Sequence, residues 1–238
     1  MKIPTVIKGQ PTSKEVIQRL KDEGRPVLLS FSCGKDSIAA WIAMDDAGID
    51  VVPVYMYLVP NLGFVQEEIE YFEGIFGRKV HQYPHASCYR FFAQYAFQAP
   101  ENCGIIDAAG IQSPDYDYIW SFVKEDLGLP PDTWVADGVR AADSIVRRAS
   151  FVKHGVMKPS KRKVSPIADW LKGEVMDAIE GRGIKLPIDY EIWGRSFDGL
   201  DYRFTHPMKE RLPEDYEVLK AYFPLIETDI LRHEHYGI

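Results

Sequence analysis

Residues 12–23 place Val16, Ile17 and Leu20 on one helical face. Thr12 or Ser13 is positioned to cap the start, Glu15 falls in the first turn, and Gly24 follows as a stop. This spacing predicts a capped amphipathic helix. Val27-Leu28-Leu29-Ser30-Phe31 is instead a short apolar run, the mark of a strand buried on both faces of a parallel sheet. Helical spacing resumes from Asp36 to Gly48 through Ile38, Trp41, Ile42 and Met44. Val51 to Leu58 is rich in β-branched and aromatic residues and predicts a second strand. Phe64 to Phe76 predicts another helix ending at Gly77, and Lys79 to Tyr83 a third strand.

Strands alternating with helices in this way specify right-handed βαβ units. The expected fold is α/β, an open, mostly parallel twisted sheet with helices on both faces. Pro84 to Pro114 is less periodic and reads as irregular. A helix is expected over Tyr116 to Leu127 and a fourth strand over Thr133 to Ala136. Lys153 to Lys163 is basic with few apolar anchors and reads as a mobile surface loop. A last strand is expected at Val164 to Ala168 and a helix at Trp170 to Glu180. From Leu186 onward, aromatics, prolines and charges suggest an irregular C-terminal tail that wraps the sheet or meets a partner. One domain over residues 1–238 is expected, with its core at about 25–185 and the tail at 186–238.

Composition narrows the function classes. With 238 residues and 46% hydrophobic content, the chain is long enough for a full core. A net charge of −7 argues against a dominant nucleic-acid surface, which needs concentrated positive charge. No apolar run is long enough for a membrane span, and Met1 to Val6 lacks the features of a secretory leader. Three sparse cysteines, Cys33, Cys88 and Cys103, suit a reducing compartment, so a cytoplasmic protein is expected.

The candidate chemistry lies between the first strand and the helix after it, in Ser32-Cys33-Gly34-Lys35-Asp36-Ser37. The first backbone N–H groups of a helix have no intrahelical acceptors, and the helix dipole adds partial positive charge there, so this loop is an anion site. Gly34 permits a tight turn and close approach to a phosphate. Ser32 and Ser37 offer hydroxyl donors and Lys35 a point charge. Asp36 has the wrong sign for a phosphate contact and is read as a ligand for Mg²⁺ or a brace for the loop. Downstream, Asp137-Gly138-Val139-Arg140 leaves the fourth strand, where ligands of open parallel sheets bind. Arg140, Arg147 and Arg148 follow one another closely and match the oxygens of phosphate or sulfate.

The six-residue loop resembles the PP-loop, Ser-Gly-Gly-x-Asp-Ser, of the ATP pyrophosphatase (adenine nucleotide alpha hydrolase) superfamily, with Cys33 in place of the first glycine. The resemblance implies a HUP-like fold, ATP and Mg²⁺ as ligands, and cleavage at the α–β bond to AMP or an adenylated acceptor plus pyrophosphate. Lys35 and the loop would hold the β,γ-phosphates, with Asp36 as metal ligand. Arg140 would stabilise charge at the α-phosphorus, with Gly138 and Arg147 beside it. Tyr55 and Met56, at the end of the second strand, fall where that fold places the adenine edge. A homodimer is typical of the family.

Val164-Ser165-Pro166-Ile167-Ala168-Asp169-Trp170 and Leu186-Pro187-Ile188-Asp189-Tyr190 extend the likeness towards the phosphoadenosine-phosphosulfate reductase family. Its reductases attack sulfur with a cysteine near the C-terminus. Here the chain ends His233-Glu234-His235-Tyr236-Gly237-Ile238 and the last cysteine is Cys103. The thiolate is the nucleophile in such chemistry, so ATP-dependent activation of an acceptor is favoured over sulfonucleotide reduction. Two alternatives stand beside it: sulfur transfer through Cys33 or Cys88, and a nonenzymatic nucleotide-binding module. His81, His85, Cys88 and Cys103 have zinc-type chemistry, but their spacing matches no standard zinc pattern and loop packing is the preferred reading.

Overall fold

The computed structural model describes residues 5–237. Met1–Pro4, part of the segment read for a leader, and the terminal Ile238 lie outside them. The chain forms α1 (Ser13–Glu23), β1 (Val27–Ser30), α2 (Lys35–Asp46), β2 (Val51–Tyr57), α3 (Gly63–Phe76) and β3 (His81–Pro84). It continues through α4 (Ala86–Ala93), α5 (Pro100–Ala109), α6 (Tyr116–Asp126), β4 (Val135–Ala136) and α7 (Ile145–His154). After β5 (Met157–Lys158) and β6 (Lys163–Val164) come α8 (Lys172–Gly181), α9 (Ile188–Ile192), α10 (Tyr202–Arg211), α11 (Pro213–Tyr222) and α12 (Glu227–Tyr236). No described helix is long and apolar enough to cross a membrane.

Among the described residues the fold is α/β, with six strands in the order β3-β2-β1-β4-β6-β5. β1 pairs in parallel with β2 (Val27 opposite Val51) and with β4 (Leu28 opposite Val135), and β4 pairs in parallel with β6. β5 runs antiparallel to β6. The order matters for function. From β1 the chain adds β2 and β3 on one side, then returns to lay β4 on the other. The ends of β1 and β4 therefore flank a topological switch point, where the outgoing loops diverge and leave a crevice.

The chain clusters into two compact units. One contains the chain up to Tyr55, Arg78–His81 and Trp120–Leu186. Its core is the sheet centre. Val27, Leu28 and Leu29 of β1 are buried, and Phe31 meets Trp41 of α2 edge-on at 4.9 Å between ring centres. Ile38 through Ile42 are all buried, so α2 has little polar face to give to water and packs against α8. Thr12 caps α1 as expected: Glu15 N–H donates to its hydroxyl, and Thr12 N–H donates to the Glu15 carboxylate at 2.8 Å.

The second unit contains Met56–Gly77, Gln82–Ile119 and the chain from Pro187. It corrects two expectations. Residues 186–238 are not an irregular tail. They form α9 to α12, which bury Phe204, Met208, Tyr216, Leu219, Phe223, Ile226 and Ile230. Apart from the step from Met208 to Tyr216, these apolar positions recur three or four residues apart, but Pro207, Pro213 and many charges obscure the period. Likewise, Pro84 to Pro114 holds α4 and α5. Pro100 and Pro213 are first residues of helices, where the missing N–H is not needed, rather than breakers.

In the first unit, Lys153 to Lys163 is also not a loop. It includes the end of α7 and the β5–β6 hairpin, held because Arg162 lies 4.2 Å from the Trp134 ring centre and pairs with Glu23. The predicted strand at Val164 to Ala168 shrinks to β6. Ala168 N–H instead closes a turn onto the Ser165 carbonyl.

Candidate functional site

β1 hands the chain directly to the candidate loop. Phe31 N–H still bonds the Val54 carbonyl of β2 at 2.9 Å, and the chain then turns. Cys33 takes the left-handed conformation, φ 56°, that normally falls to glycine. Gly34 is the N-cap of α2, in extended conformation, and has no side chain of its own with which to cap the helix. The first turn of a buried helix thus begins at the switch point without the usual Ser, Thr or Asp cap.

The two serines do different work. Ser37 is buried. Its hydroxyl donates to the Gly34 carbonyl at 2.9 Å and accepts from Ser32 N–H at 3.2 Å, so it ties the loop shut. Ser32 lies at the exposed lip, its hydroxyl 3.4 Å from Gly34 N and 3.3 Å from the Ser37 hydroxyl. Both hydroxyls read as ligand donors in the sequence; that of Ser37 is spent on the loop itself, while Ser32 is exposed beside it.

The segment leaving β4 packs onto the same turn. A Cβ on Gly138 would lie 2.6 Å from the carbonyl carbon of Asp36 and 2.7 Å from the nitrogen of Ser37. Glycine is required there for space, since its φ is unremarkable. Asp137 shapes this approach by accepting from Val139 N–H at 3.1 Å and from the Ser165 hydroxyl at 2.7 Å. Burial pushes its carboxyl above the usual carboxylate range, against the lowering effect of those two bonds. Asp137 and Ser165 were not singled out in the sequence as working residues. The legible signal was an Asp-Gly pair directly after a strand, which marks a side-chain-braced turn.

Charges then alternate through the site. Lys35 Nζ lies 2.6 Å from Asp36 Oδ2, and Arg140 Nε lies 2.9 Å from Asp36 Oδ1. The second contact is close in distance but lacks hydrogen-bond alignment, since both atoms count as buried and unbonded. Arg140 Nη2 donates to Asp143 Oδ1 at 2.6 Å, and Arg147 Nη1 donates to Asp143 Oδ2 at 2.7 Å. Arg140 is only 4% exposed, and its Nη1 is buried with no hydrogen-bond partner. Of the sequence candidates, Lys35, Asp36, Gly138 and Arg140 therefore meet at one helix start, and Arg147 is linked to them through Asp143. Arg148 donates to the Val6 carbonyl instead. Tyr55 and Met56 are consecutive on β2, Tyr55 buried and Met56 half-buried.

These residues suit a polyphosphate: a helix start led by glycine, a second glycine that lets backbone approach, and a buried guanidinium with unmet donor capacity. For a metal, the site offers the Asp36 carboxylate. No group of three His, Cys, Asp or Glu side chains placed to hold an ion occurs among the described residues. One carboxylate fits Mg²⁺, which keeps most of its water and is shared with phosphate oxygens.

The zinc-type cluster does not assemble among the described residues. His85 caps α4 by accepting from Ser87 N–H at 3.1 Å through Nδ1, and its Nε2 meets the Tyr116 hydroxyl at 2.8 Å. Burial holds its imidazole below the usual histidine range. Burial likewise pushes the Cys88 thiol up to about 11, which keeps it protonated and unreactive near neutral pH.

No protein-family profile matches the chain, and no curated protein shows significant similarity to it.

Proposed function

We propose that this protein is a PP-loop ATP pyrophosphatase with a HUP-like fold, binding ATP in Ser32–Ser37 and cleaving it between the α- and β-phosphates. The observation that carries this reading is the glycine-led start of α2 at the switch point, with Gly138 against its backbone and the buried Arg140 beside it.

In this reading the loop amides and Lys35 receive the β- and γ-phosphates. The acceptor, or water, attacks the α-phosphorus, the bond to the α–β bridging oxygen breaks, and pyrophosphate leaves. Arg140 supports the charge that grows on the departing oxygens from a water-poor position, where a fixed donor is worth more than in solvent. Asp143 holds the guanidinium in place, acting as a positioning residue. Mg²⁺, held by Asp36 and the phosphates, would supply charge neutralisation across the triphosphate. Ser37 and Gly138 set the loop geometry on which all of these depend.

The sulfur-transfer reading is less well supported. Cys88 is held as a thiol, and Cys33 is buried within the loop wall. A thermal-shift titration tests the binding step. ATP at a hundredfold over its Kd stabilises a folded protein by about 2.7 kcal/mol. That rise in melting temperature is expected for the native chain and should vanish in Lys35→Ala. A native chain indifferent to ATP would remove the proposal.

A further inference from the structure

The cations assigned to the phosphates are already engaged by a carboxylate of the same loop. Asp36 sets one oxygen 2.6 Å from Lys35 Nζ and the other 2.9 Å from Arg140 Nε. The Arg140 contact is poorly aligned, and its Nη1 is buried without a hydrogen-bond partner. A guanidinium this deeply buried normally satisfies its donors, so the present arrangement leaves capacity for a better acceptor. Asp143 takes Nη2 of Arg140 and also binds Arg147. Lys35, Arg140 and Arg147 are thus each paired with Asp36 or Asp143.

That pairing is poorly matched to a bare polyphosphate. Its several negative charges would compete with Asp36 for Lys35 and Arg140 and lie against the displaced carboxylate. A polyphosphate that carries a divalent cation brings a counter-charge for that carboxylate, and the conflict disappears.

We propose that Asp36 is a specificity residue: it occupies Lys35 and Arg140 until a phosphate-borne divalent cation takes over its carboxylate, so the site rejects metal-free polyphosphate. This rests on the phosphate-binding reading of the loop and assigns Asp36 a role that a simple metal ligand does not have. A carboxylate that only ligated metal would, when neutralised, weaken binding in Mg²⁺ and leave metal-free binding unchanged. A carboxylate that also blocks the cations must improve metal-free binding when neutralised.

Calorimetric titration of the intact chain with inorganic pyrophosphate, in Mg²⁺ or in EDTA, separates these. The native protein should prefer the Mg²⁺ form by about tenfold or more. Asp36→Asn should bind metal-free pyrophosphate about tenfold more tightly than native and lose the preference. Asp36→Ser, with circular dichroism to verify folding, repeats the test if the asparagine variant is unstable. A native protein indifferent to Mg²⁺, or variants no tighter for metal-free pyrophosphate, would overturn the inference alone. Absence of binding in every arm would overturn the phosphate reading and this inference together.

Discussion

Gly138 meets Asp36 through backbone alone, leaving 2.6 Å between the Asp36 carbonyl carbon and the place a Cβ on Gly138 would occupy. The segment leaving β4 can therefore lie on the first turn of α2 only while residue 138 has no side chain. Gly138→Ala must push the two segments apart. Overpacking of this kind costs about 1–3 kcal/mol. Since Arg140 follows two residues later, its guanidinium should also leave Asp36. We expect a small drop in melting temperature but loss of most ATP affinity. Retention of full affinity would show that this contact does not set the site.

Cys33 holds a left-handed backbone, φ 56°, at a cost of about 1–2 kcal/mol for a residue with a Cβ. Cys33→Gly should relieve that strain, roughly offset the lost burial, and preserve nucleotide binding. Cys33→Val places a β-branched side chain in the same conformation and should destabilise by about 2 kcal/mol or more. Urea denaturation of both variants gives the comparison. Loss of ATP turnover in the glycine variant, with binding intact, would instead point to thiol chemistry.

A pair of acids in the second unit predicts an unusual pH dependence. Glu68 of α3 and Asp189 of α9 are both buried and close enough to influence each other's charge. Glu68 Oε1 and Asp189 Oδ1 are buried without a hydrogen-bond partner, while Asp189 Oδ2 accepts from Phe197 N–H at 2.7 Å. Burial, and for Glu68 also the neighbouring charge of Asp189, pushes both carboxyls upward, so the pair keeps a proton that the unfolded chain has lost. The folded state then binds more protons than the unfolded state. The stabilisation is complete below the ordinary carboxylate range and is lost as pH rises through the pair's raised titration. Glu68→Gln supplies a permanent donor and should flatten this decline. Melting curves from pH 4 to 9 that are parallel for the two proteins would contradict it.

Asp215 provides a cap that α3 cannot supply for itself. Leu62 is the N-cap, no acid lies in the first turn, and Asp215 of α11 instead accepts from the N–H groups of Gly63 and Phe64. Asp215→Ala should cost about 1–2 kcal/mol. Equilibrium unfolding measures this, and an unchanged midpoint would mean that water replaces the carboxylate without loss.

The β1–loop–α2 unit was legible because its signals are local: an apolar run, a Gly-containing turn and helical spacing follow within twenty residues of each other. Gly138 and Arg140 were legible as the exit of a strand. Their contact with Asp36 was not, because sequence spacing carries no information on which segments the sheet order brings together. The ion pairs of Asp36 are a further example, since a carboxylate beside a lysine in a loop reads equally well as a metal ligand. The helices from α9 to α12 were obscured by prolines at helix starts and by aromatics such as Phe204 and Phe223, whose burial depends on partners elsewhere in the chain. The β5–β6 hairpin depends on Arg162 finding Trp134 and Glu23, and nothing within Lys153 to Lys163 announces either.

The bond that is broken decides the account. Incubation of the purified chain with α-labelled ATP and Mg²⁺, followed by separation of the labelled products, identifies that bond, with candidate acceptors added in parallel. The proposal predicts label in AMP or in an adenylated acceptor, with pyrophosphate released in equal amount, and none of this in Lys35→Ala or Arg140→Ala. Label recovered only in ADP, or no turnover with any acceptor while ATP still binds, would contradict it.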